Sequence, residues 1–148
     1  MTMRTEIAWT TDPQGLLLGA RYHDGNLCDF GFSGDGIFRF GIAPVGGGRT
    51  EIVLRNVRHF GFQDFVDGGI LNDIRIHRLG AMPELLWDAD DNPWRVLFCY
   101  LHDVDRIRPV AAQLIAAEPD MMLVSIDGSF GGNFAALCGA VAVFGETP

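Results

Sequence analysis

A chain of 148 residues, 48% of them hydrophobic, is long enough to bury a core of its own and reads as one globular β-rich domain over residues 1–148. Its formal charge of −8 opposes binding to a nucleic-acid backbone and leaves a basic protein open as partner. No apolar run approaches the roughly 18 residues that cross a bilayer, and the opening MTMRTEIAWTTDPQG has no hydrophobic segment of signal-peptide length, so a cytoplasmic chain away from the membrane is expected.

The glycines fall in small clusters between short apolar runs, the punctuation of antiparallel sheet proteins. GLLLGARYHDGNLCDFGF predicts two strands about a turn at Asp24 and Gly25, because Asp-Gly accepts the positive φ of a tight hairpin. Gly31-Phe32-Ser33-Gly34-Asp35 places a serine among glycines but runs into a strand, which argues for a turn. GDGIFRFGIAP follows with Phe38, Phe40 and Ile42 on one face and Arg39 on the other. PVGGGR has the glycines of a phosphate cradle without its Gly-Lys-Ser/Thr ending or a helix start, and is read as a hairpin connection to the next strand.

RTEIVLRNVRHF begins with Ile52 and Leu54 on one face and then puts Val57 on the other parity, which predicts a bulge near Asn56. GGILNDIRIHRL alternates again, with Ile70, Ile74 and Ile76 inward and Asp73, Arg75 and His77 outward. Asn72 needs a hydrogen-bond partner if it is buried. WDADDNPW sets Asp88, Asp90 and Asn92 at alternating positions of a possible calcium loop. Pro93 replaces the required glycine and Cys99 the closing glutamate, so no metal site is assigned. The loop is read instead as an acidic contact surface, Glu84, Trp87, Asp88, Asp90, Asp91 and Trp94, in which the two indoles would anchor a partner. WRVLFCYL, apolar on both parities, predicts a central strand covered on both faces.

DVDRIRPVAAQLIAAEPD carries the one predicted helix, near residues 105–117. Asp105 is its N-cap, Pro109 falls in the first turn, and Ile107, Val110 and Leu114 form the apolar stripe. MMLVSID and NFAALCGAVAVF predict two strands around SIDGSFGGNF. There Ser129 invites comparison with a nucleophile elbow, but Asp127 stands where its first glycine is required and the next segment reads as a strand, so a hairpin turn is expected. Cys28, Cys99 and Cys138 are odd in number and far apart, which predicts buried reduced thiols. His23, His59, His77 and His102 show no spacing that would hold a metal from one element.

The stretches IVLRNVRHFGFQDFVDGGILNDI and LVSIDGSFGGNFAALCGAVAV resemble a loose set of small, β-rich, uncharacterised bacterial proteins, some of them immunity partners in polymorphic-toxin systems. The resemblance covers about half the chain and lies in structural positions. It implies a fold and transfers no functional residue.

The expected fold is mainly β (α+β), an antiparallel sandwich or a strongly curved sheet or barrel with one short helix. The expected function is a non-enzymatic interaction domain, such as an immunity protein that neutralises a basic toxin, with no catalytic residue, metal or cofactor assigned. Two alternatives stand: a β domain that encloses an apolar ligand among Phe38, Phe40, Phe98 and Tyr100, and an enzyme whose site assembles only in the fold, joining a histidine to a carboxylate or thiol.

Overall fold

Strands that alternate apolar and polar side chains must pair their apolar faces, and here they do so in two antiparallel sheets packed face to face. The computed structural model describes residues 3–64, 69–83, 92–128 and 132–146. Its strands are β1 (Arg4–Ile7), β2 (Thr10–Thr11), β3 (Leu17–Leu18), β4 (Asn26–Ser33), β5 (Ile37–Ala43), β6 (Arg49–Arg55), β7 (His59–Gln63), β8 (Leu71–Arg78), β9 (Met122–Gly128), β10 (Asn133–Cys138) and β11 (Ala140–Glu146). A five-stranded sheet runs β1-β11-β6-β5-β4, a four-stranded sheet runs β7-β10-β9-β8, and β2 and β3 form a small ribbon. Of the expected architectures the sandwich is the one formed; neither sheet closes into a barrel.

The inter-sheet core unites Phe38, Phe40, Ile42, Ile52 and Leu54 with Ile74, Ile76, Val124, Ile126 and Phe134. A second core lies on the other face of the four-stranded sheet. There Leu123, Ala135 and Leu137 are covered by helix α1 (Pro93–Leu97), which brings Trp94, Val96 and Leu97, and by Phe98 and helix α2 (Val104–Ala117), which brings Ile107 and Ala111. The middle strands β9 and β10 are therefore apolar on both faces, while the outer face of the five-stranded sheet carries charged side chains that cover Val53. On that face Arg4 and Arg39 converge on Glu51, and Arg49 pairs with Asp29 at 2.7 Å.

Several expectations are corrected. WRVLFCYL is no strand. Asn92 is fully buried, its Oδ1 accepts a hydrogen bond from the Trp94 N–H at 2.9 Å, and Pro93 opens α1, after which Cys99–Leu101 form a 3-10 turn. Val96 and Phe98 thus belong to the second core, and Ile70 is only half-buried. The Asp24-Gly25 turn exists, with Asp24 at φ 59, but its flanking strands do not pair with each other: β3 pairs with β2, and β4 with β5.

The parity change at Asn56 is a change of sheet. β6 ends at Arg55, Asn56 turns through φ 53, and the chain enters β7 of the opposite layer. The return crossing divides NFAALCGAVAVF into β10 and β11 at Gly139, whose N–H donates to the Arg55 carbonyl at 2.9 Å, so the two crossings touch. A bulge does occur in β8, between Leu71 and Asp73, and lets both Leu71 and Ile74 face inward; Asn72 then donates to Asp127 at 3.3 Å. Helix α2 is capped by Asp103 rather than Asp105, which places Pro109 inside the helix beyond its first turn. Cys28 and Cys99 are exposed and Cys138 is buried, where burial pushes its thiol pKa up to about 12.

Candidate functional site

Two places combine accessibility with unusual side chains. The first is the edge where β4 and β7 lie beside each other. Phe30 and Phe32 have the inward parity of the core and pair in register with Phe40 and Phe38, but β4 ends its sheet. Across the gap β7, which ends the other sheet, presents Phe60 and Phe62. Ring centroids stand 4.9 Å apart for Phe32 and Phe60 and 5.5 Å for Phe30 and Phe62, with Phe38 and Phe134 beneath. Phe30 and Phe32 remain 49% exposed and Phe60 39%, a concentration of aromatic surface that a chain seldom leaves in water without use. Strand parity alone cannot tell a central strand from the last one, so the exposure of these rings has no signature in the sequence.

The second place is a cleft of about 390 Å³ lined by Trp9, Thr10, Thr11, Asp12, Pro13, Gly15, Ile76, His77, Arg78, Ala81 and Met122. A strap, residues 9–18, forms it. Asp12 Oδ1 accepts from the N–H groups of Gln14 and Leu16 at 2.8 and 2.9 Å, and the strap is tied to the edge of β8 by Ile76 N–H donating to the Gly15 carbonyl at 2.8 Å and by Arg75 donating to the Gln14 carbonyl. Gly15 (φ +82) rests on the His77 ring so closely that a Cβ would stand 2.3 Å from Cε1. His77 was expected on an outer face; the strap covers it instead, leaving it 8% exposed with Nε2 buried and unpartnered.

Burial pushes the His77 imidazole below its ordinary pKa, the Arg75 charge adds to this and Asp12 opposes it, so the folded ring is neutral at neutral pH. The unfolded chain takes up a proton near the ordinary value of about 6.5, and stability is therefore lost as the pH falls through that value. Wild type should lose up to about 1.4 kcal/mol per pH unit more than His77→Gln in denaturant melts below about pH 6.5. Parallel pH profiles for the two proteins would refute this linkage.

Of the residues proposed as a contact surface, Glu84, Trp87, Asp88, Asp90 and Asp91 lie outside the described residues. Trp94 is fully buried in the second core, where its ring stacks on Phe98 at 6.2 Å, and is taken up by the chain's own packing. Ser129 also lies outside the described residues; β9 and β10, before and after it in sequence, pair antiparallel. Ser33 donates to Asp35 within the β4–β5 turn. Gly46, Gly47 and Gly48 all take positive φ in the β5–β6 connection, the task for which PVGGGR carries glycines. Phe38 and Phe40 fill the inter-sheet core, while Phe98 and Tyr100 lie in the helical layer, so the four line no common cavity.

Among the described residues no cluster of His, Cys, Asp and Glu could hold a metal, and no helix is long and apolar enough to cross a membrane. Neither site was legible in advance, since one depends on which strands end the sheets and the other on a strap folding back over β8. No family model, curated protein or solved structure matches this chain.

Proposed function

We propose that the protein is a non-enzymatic interaction domain whose aromatic edge grips a basic protein partner. The observation that carries this reading is the cluster of half-exposed rings, Phe30, Phe32 and Phe60, placed between two sheet-ending strands. Aromatic anchors contribute much of the affinity of protein interfaces, and a strand edge offers backbone groups to an incoming extended segment. The charge of −8 draws a basic partner towards the protein and opposes binding to nucleic acid. The acidic segment with Glu84, Trp87, Asp88, Asp90 and Asp91 extends that attraction.

The finer reading is an immunity protein that neutralises a basic toxin in the cytoplasm. It is supported by the resemblance to small bacterial β-rich proteins and by three cysteines that are all free.

Replacing Phe32 and Phe60 together by threonine keeps strand propensity and removes only partly exposed rings, so the fold should survive. Binding to the partner should weaken about 30-fold or more, the loss expected for an interface hot spot. Paired pull-downs with wild type and Phe32→Thr/Phe60→Thr as baits, followed by titration of the basic proteins recovered, provide the measurement. Equal affinity for both baits, with both still folded by circular dichroism, would remove the edge from the interface.

A further inference from the structure

The strap cleft has a composition unlike the aromatic edge, and its parts are complementary to one kind of small molecule. Among the described residues its charged groups are one carboxylate, Asp12, and one guanidinium, Arg78, while burial keeps the third titratable side chain, His77, neutral at neutral pH. One fixed anion and one fixed cation in the same lining match a molecule that carries both charges better than one that carries either alone. Asp12 is fixed in place because both backbone bonds go to Oδ1, so Oδ2 can receive an ammonium group. Arg78 spends one nitrogen on a long bond of 3.5 Å to the Asp120 carbonyl and keeps its other donors for a carboxylate. Thr10 and Thr11 add hydroxyls to the same wall.

The remaining lining is apolar. Trp9, held by its Nε1–H donating to the Val141 carbonyl at 3.2 Å, stands with Pro13, Ile76 and Met122 around the cavity. A volume of about 390 Å³ lies within the range of small-ligand sites and accommodates one free amino acid with some of its water.

We propose that this cleft binds a small zwitterion with an apolar body, a molecule of the free amino-acid class, with its ammonium on Asp12, its carboxylate on Arg78 and its side chain against Trp9, Ile76 and Met122. The site is separate from the aromatic edge, so it stands whether or not that edge engages a protein. Occupancy would brace the strap against β8.

L-phenylalanine, phenethylamine and 3-phenylpropionate share one apolar body and differ only in which charged group is present. Titration calorimetry of the intact chain should show L-phenylalanine binding at least about ten-fold more tightly than either analogue. Arg78→Gln, on an exposed side chain, should abolish the preference over phenethylamine, and Asp12→Asn, which keeps an acceptor for the two backbone N–H groups, should abolish the preference over 3-phenylpropionate. Should Asp12→Asn unfold the strap, seen as a lowered melting temperature without probe, Arg78→Gln alone still decides. No heat with L-phenylalanine at millimolar concentration, equal affinity for the three probes, or an unchanged preference in Arg78→Gln would overturn the proposal.

Discussion

Trp94→Ala is expected to cost about 3–5 kcal/mol of folding stability, read as a shift in the denaturant midpoint, because it leaves a ring-sized hole under a helix that cannot stand alone. Helix α1 has five residues, too few to persist in water on propensity, so its place depends on burial. Trp94 is its most deeply buried large side chain, stacked nearly parallel to Phe98 and packed in the core that also holds Leu123, Ala135 and Leu137. Losing the indole removes the largest of the side chains by which α1 packs on the sheet, leaving Val96 and Leu97 to hold it. Asn92→Ala, which removes the helix cap, should cost less, about 1–2 kcal/mol. A loss below about 1 kcal/mol for Trp94→Ala would mean that the helical layer contributes little to the folded state.

Gly61→Ala should be nearly as damaging as a far larger change, at about 2–3 kcal/mol, although it adds a single methyl group. Gly61 lies on β7 where α1 presses against the strand. A Cβ there would stand 2.3 Å from the Val96 carbonyl oxygen and 3.1 Å from its carbon, and both are backbone atoms that cannot rotate away. The helix must shift or the strand must bend, and either disturbs the second core. Gly31→Ala on β4 serves as the comparison, since nothing lies within 4 Å of its Cβ, and that variant should melt within about 0.5 kcal/mol of wild type. Equal melting of both variants would show that α1 does not sit as closely on β7 as described.

Period-two alternation made the sandwich readable wherever a strand has one wet face. Phe38, Phe40 and Ile42 against Arg39 is such a case, and the hairpin through Gly46, Gly47 and Gly48 follows from residues that accept positive φ. The signal fails where both faces are apolar. WRVLFCYL is compatible with a buried strand or a buried helix, and the deciding information sits just before it, in an asparagine able to cap and a proline able to open a helix. At Asn56 the parity change was visible, but a bulge and a change of sheet look alike in one dimension.

The candidate sites were harder to read for a different reason. Phe32 and Phe60 are 28 positions apart in sequence, and His77 meets Gly15 only after the strap folds back; no spacing rule links residues that share neither a helix nor a hairpin. The acidic run around Asp88 and Asp90 was conspicuous as composition, whereas the aromatic edge appears only once strand order is known.

The pairing of β1 with β11 has a consequence for how the molecule is made. Residues 4–7 find their partners at residues 143–146, and β6 likewise takes one of its two neighbours from residues 140–146. A ribosome delivers the first strand long before the segment that completes its sheet, so contact order is high and closure of nearly the whole chain precedes the final ladder. The hairpins β4–β5 and β5–β6 close over short loops and can pair early, whereas β1 and the free edge of β6 wait for residues 140–146 before the five-stranded sheet is complete.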